Sequence, residues 1–146
     1  MSSPLYLLDT NIVSHMMVNA EGKAALHAIK LITQDPSVRM CTSVVVHCEL
    51  AFGIAKRPSS RLQKALDFQL ASLLVMPLDN DVVLHYARLR AGLEANGTPI
   101  GPNAALIAAH ALALGATLVS ADAEFERVPG LKVENWLAAN PVPAST

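Results

Sequence analysis

Short apolar runs that stop at polar residues alternate along this chain with stretches whose apolar positions recur every three to four residues. Leu5-Tyr6-Leu7-Leu8 reads as a first strand, and Thr10 or Asn11 can cap a helix carrying Ile12, Val13, Met16 and Met17. Glu21 to Ile32 has Ala25, Ile29 and Ile32 at helical spacing, and Asp35-Pro36 ends it before a short strand from Val38 to Cys41. Ser43 can cap the next helix, which runs through Glu49 to about Ala55. Pro58-Ser59-Ser60 separates it from an amphipathic helix containing Leu62, Leu66 and Leu70. Leu73 to Met76 fits a third strand. Asp79 or Asn80 caps a helix through Val83, Tyr86, Ala87 and Leu93 that stops near Asn96-Gly97. Pro102 suits the first turn of a helix ending near Gly115; the strand Thr117 to Ser120 follows, and Pro129-Gly130 turns into an edge strand from Leu131 to Glu134.

Strands alternating with helices predict a single α/β domain with a central, mostly parallel sheet of four to five strands and helices on both faces. A length of 146 residues with 52% hydrophobic residues suits one domain, expected over residues 1–139, with a loose tail over 140–146. The uncharged stretch from Ala104 to Val119 resembles a membrane span in composition, but Gly115 and the β-branched Thr117 and Val119 divide it into a core helix and a buried strand. No basic region precedes the first apolar run and Asp9 interrupts it, so the expectation is a cytoplasmic protein without a signal peptide or membrane anchor. Cys41 and Cys48 are too few for a disulfide framework and read as free thiols. With 11 basic and 12 acidic residues, net charge does not mark a nucleic-acid binder, so any basic surface is local.

Three acidic residues change the picture. Asp9 follows the first strand and Asp122 follows Thr117-Leu118-Val119-Ser120, which places two carboxylates on the rim where open α/β sheets bind ligands. Glu49 shares a helical face with Val45, Val46, Phe52 and Gly53, where an ionised carboxylate needs a cation, strong hydrogen bonds or a raised pKa. Simpler readings stand beside these: Asp9 and Asp122 as helix caps, and Glu49 reaching solvent or pairing with an arginine. Taken jointly, the acids favour Mg2+ or Mn2+ and phosphodiester chemistry. Lys56, Arg57 and Arg61, with Lys64, form a local basic cluster able to steer phosphates, or an ordinary solvated face; Arg88 and Arg90 are a second candidate. His110, set among alanines and leucines, reads as a core or interface residue. His15, His27, His47 and His85 show no ligand spacing, and Trp136 reads as packing the C-terminal strand against the domain.

Nearly the whole chain resembles the PIN-domain ribonucleases, and among them the VapC-type toxins of bacterial toxin–antitoxin pairs. The resemblance lies in Leu7-Leu8-Asp9-Thr10-Asn11-Ile12, in Ser43 to Leu50, in Ile100-Gly101-Pro102-Asn103-Ala104 continuing to Leu112, and in Leu118 to Phe125 with the segment through Trp136. It implies that Asp9, Glu49 and Asp122 are three acids of a metal-binding quartet. The family's Gly-Pro-Asn-Asp reads here as Gly101-Pro102-Asn103-Ala104, so one metal ligand is missing and this chain is expected to cleave little or nothing. The preferred explanation of Ala104 is a deliberate Asp-to-Ala change made so that a toxic nuclease could be expressed; a natural inactive homologue is the alternative. The resemblance further implies RNA as substrate, transfer RNA favoured, a toxin homodimer, and a cognate VapB-type antitoxin through which the complex binds operator DNA. A non-catalytic regulatory module on the same fold is the competing function. A haloacid-dehalogenase-type phosphatase would need aspartate where Asn11 stands.

Overall fold

β1 (Leu5–Leu8) lies at the centre of a five-stranded sheet in the order β3-β2-β1-β4-β5, with every neighbouring pair parallel. The computed structural model describes residues 3–138. After β1 come α1 (Thr10–Val18), α2 (Lys23–Gln34), β2 (Arg39–Ser43), α3 (Val44–Lys56), α4 (Ser60–Ser72), β3 (Leu74–Met76), α5 (Asp81–Ala95), α6 (Pro102–Leu114) and β4 (Thr117–Val119). A 3-10 helix, Ala123–Arg127, leads to β5 (Val133–Glu134). The tail expected over 140–146 lies outside the described residues.

Strand order explains where a site can form. From β1 the chain moves outward through β2 to β3, then crosses back through α5 and α6 to pair β4 with the other side of β1. Right-handed crossovers running in opposite directions put their helices on opposite faces, as the alternating pattern predicts. Between β1 and β4 the winding reverses, and a crevice opens beyond the strand ends. Burial follows: Leu7, Leu8, Cys41, Leu118 and Val119 are fully buried, as expected of parallel strands covered on both faces.

Several boundaries move for identifiable reasons. β2 begins at Arg39 rather than Val38 and runs on to Ser43, because Thr42 and Ser43 continue the ladder opposite Leu8 on one side and Val75 and Met76 on the other. The Thr42 hydroxyl also donates to the Leu8 carbonyl at 2.7 Å, fastening β2 to β1 just before Asp9. Thr10 and Asn11 do not cap α1: Asp9 holds the cap position, and both residues lie inside the helix. Ser43 does cap α3, its Oγ accepting from the Val45 amide at 3.1 Å. Asp79 accepts from the Asp81 amide, whereas Asn80 makes no side-chain cap bond. α6 begins on Pro102 and ends at Gly115 in the left-handed conformation, φ 67°, and no helix among the described residues is long and apolar enough to cross a membrane. Trp136 is fully buried against Tyr6 and His27, with ring centroids 5.5 and 5.0 Å away, and donates to Glu134 Oε1 at 2.9 Å.

Candidate active site

The crevice at the β1/β4 reversal is a cavity of about 320 Å³ lined by Asp9, Glu49, Asn103, Ala104 and Asp122, with Thr10, Asn11 and Ser14 beside them. β1 delivers Asp9, α3 delivers Glu49, the first turn of α6 delivers Ala104, and the turn after β4 delivers Asp122. All four positions singled out from the sequence meet at one place.

Asp9 is buried, and its backbone extends the sheet one residue beyond β1, its amide donating to the Val119 carbonyl at 2.9 Å. Its side chain makes no cap hydrogen bond; instead Oδ2 accepts from the Ser120 hydroxyl at 2.7 Å and from Asn11 Nδ2 at 3.4 Å. Asn11 also donates to Ser120 Oγ at 3.3 Å and accepts from the Ala121 amide at 3.1 Å, while the Asp122 amide donates to Ser120 Oγ at 3.0 Å. Five residues from the two central strand ends are thereby tied into one network. Burial raises the Asp9 pKa, the Ser120 and Thr10 hydrogen bonds oppose it, and the nearby Asp122 charge adds to the rise.

Glu49 is half-buried and accepts from the Thr10 hydroxyl at 3.3 Å. Its pKa is also raised, by burial first; the Thr10 bond opposes this and the Asp9 charge reinforces it. Asp122 is exposed, and its Oδ1 accepts from the Glu124 amide at 3.0 Å, so the cap role is realised on one oxygen at the edge of the cavity. The arginine pairing considered for Glu49 is absent: among the described residues the sole ion pair is Arg90 with Glu94, 3.0 Å.

Carboxylates gathered in a crevice without a cationic partner are suited to a hard divalent cation. Among the described residues, however, no three His, Cys, Asp or Glu side chains converge closely enough to hold a metal ion. At Ala104 the cavity wall offers only a methyl group. The donor type fits Mg2+ or Mn2+.

The basic residues are less focused. Lys56, Arg57 and Arg61 are all exposed, and of them Arg57 borders a second, more apolar cavity of about 280 Å³ that shares Ser14 and Glu49 with the first. Arg90 is engaged by Tyr86 and Glu94. Sequence reasoning missed Ser120 as the principal donor to Asp9, and it took Thr10 and Asn11 for caps. The available signal was spacing: Asn11 stands two residues after Asp9 and Ser120 two before Asp122, so each strand end carries an acid and a donor.

A single parallel α/β domain with acids at this reversal is a carboxylate-lined α/β fold, and its sequence places it in a known family. Residues 6–131 match the PIN domain, and the chain belongs to that family. Its relatives are VapC-type ribonucleases. It is 34% identical over 134 residues to Ribonuclease VapC2 of Rickettsia felis, covering 90% of this chain and 98% of that protein. It is 37% identical over 134 residues to the tRNA(fMet)-specific endonuclease VapC of Salmonella typhimurium, covering 90% and 97%. Among solved structures it is similar to VapBC2 of Rickettsia felis bound to a promoter DNA fragment, TM-score 0.81 at 34% identity, covering 90% of this chain and 98% of that one. It is also similar to VapBC-1 of Haemophilus influenzae, TM-score 0.80 at 29% identity, covering 92% and 99%.

Proposed function

We propose that this chain is the toxin of a type II toxin–antitoxin module, a metal-dependent endoribonuclease disabled at position 104. The observation that carries the reading is the meeting of Asp9, Glu49, Asp122 and position 104 around one crevice, with no cation among the described residues to neutralise the acids. With aspartate at position 104, Asp9, Glu49 and Asp122 would help to hold Mg2+ or Mn2+, which would supply positive charge to a scissile phosphodiester and make water easier to deprotonate. Ser120 and Asn11 orient Asp9, leaving its second oxygen for the ion. Thr10 orients Glu49. Arg57, with Lys56 and Arg61, steers RNA phosphates toward the acids. The name of the Salmonella relative supports transfer RNA as the substrate class. The VapBC complexes among the structural neighbours, one of them bound to promoter DNA, support a VapB-type antitoxin as partner; the proposed assembly contains a toxin homodimer and reaches operator DNA through the antitoxin.

Ala104 is the third residue of α6, where a carboxylate is favoured by the helix dipole, so aspartate fits there without disturbing the helix. The test is Ala104→Asp assayed on transfer RNA with Mg2+ or Mn2+. The restored protein cleaves at least about 100-fold faster than the parent and loses activity in chelator, since a metal ligand is worth more than the groups that orient it. A folded but inactive Ala104→Asp protein overturns the disabled-enzyme reading and favours the second one, a naturally non-catalytic regulatory subunit, which Ala104 itself supports. The codon at position 104 in the native coding sequence separates a deliberate replacement from a natural variant.

A further inference from the structure

His110 is 2% exposed in the middle of α6, where its neighbours Ala108, Ala109 and Ala111 are buried and apolar. A polar ring in such a place needs partners on both nitrogens. Nδ1 lies 2.8 Å from Ser43 Oγ, and that oxygen also accepts from the Val45 amide at 3.1 Å. A chain of hydrogen bonds thus runs from the first turn of α3 through Ser43 to His110 on α6.

The two helices joined here carry opposite walls of the acidic crevice. Glu49 lies six residues beyond Ser43 on α3, and Ala104 six residues before His110 on α6, each about 9 Å along its helix from the joint. A reactive constellation tolerates errors of only about 0.5 Å, so a pivot at that joint matters at the acids.

We propose that His110 is a positioning residue of the acidic site: through Ser43 it locks the start of α3 to α6 and so fixes Glu49 relative to position 104. This rests on the nuclease reading for its consequence, while the geometry is independent of it. Three variants test it. His110→Leu removes both nitrogens, His110→Asn keeps an acceptor in place of Nδ1, and Ser43→Ala removes the hydroxyl. Each is made in the present chain and alongside Ala104→Asp. NMR titration of the Glu49 carboxyl carbon reads the site without metal, and Mn2+ titration of the Ala104→Asp proteins reads its assembly.

The expected result is a displaced Glu49 titration and Mn2+ binding weakened about tenfold or more in His110→Leu and Ser43→Ala, with His110→Asn within about threefold of its parent. A Glu49 titration unchanged in both disruptive variants overturns the proposal, as does an equal loss in His110→Asn and His110→Leu. If Ala104→Asp alone binds no Mn2+, the metal reading fails and the Glu49 titration still decides the role of His110. If His110→Leu does not fold, Ser43→Ala compared with its parent decides it.

Discussion

Asp9→Asn makes this chain more stable. Asp9 is 5% exposed and forms no ion pair among the described residues. Removing a carboxylate from water costs several kcal/mol even after the protein relaxes. Against this stand the 2.7 Å bond from Ser120, worth about 1.5–3 kcal/mol as a bond to a charged acceptor, and the weaker bond from Asn11 at 3.4 Å. The raised Asp9 pKa shows that burial outweighs the donors. Asparagine keeps the shape and an oxygen for Ser120 but carries no charge, so the gain at neutral pH is about 1–2 kcal/mol. For 146 residues that is a rise in Tm of about 3–8 °C. A folded-state pKa above the unfolded value means that the parent is most stable, as far as Asp9 is concerned, below the unfolded pKa. It loses that stability as pH rises through the folded one. The difference between variant and parent is therefore smallest near pH 4 and grows to a plateau toward neutral pH, and relief of Glu49 from the Asp9 charge adds to it in the same direction. Circular-dichroism melts in chelator across that range measure it. A variant melting below its parent at neutral pH, or a gap that widens on acidification, refutes the reasoning.

Two further outcomes follow from local structure. Gly115→Ala places a side chain at φ 67°, and although a Cβ there meets no neighbour, the left-handed backbone lowers stability by about 1 kcal/mol in a denaturant titration. Burial pushes the Cys41 thiol up to about 11, whereas Cys48 is exposed, so a disulfide reagent titrates one thiol quickly in the native protein and the second only on unfolding. Two fast equivalents in the native state would contradict the buried placement.

Much of this was legible in the sequence because the signals were local. The run Leu5 to Leu8, Ser43 before α3, Pro102 and Gly115 around α6, and acids directly after β1 and β4 each depend on a few adjacent residues. What was not legible depended on partners far along the chain. Thr42 and Ser43 join β2 because they pair with Leu8, Val75 and Met76, while the side chains of Thr10 and Asn11 bond to Glu49 and Ser120 instead of capping α1. His110 was correctly read as buried, but nothing in its helix announces Ser43. The basic cluster was ambiguous by nature, since exposed cations take their role from what approaches them.

The bond between Ser120 and Asp9 spans 111 positions of sequence. During synthesis β1 emerges first and must wait, unpaired on one side, until β4 has left the ribosome, so the crevice is among the last features to exist. A nascent chain on this plan has no assembled acidic crevice for most of its translation. Asp9 and Asp122 can come together only once β4 has paired with β1, near the completion of the chain.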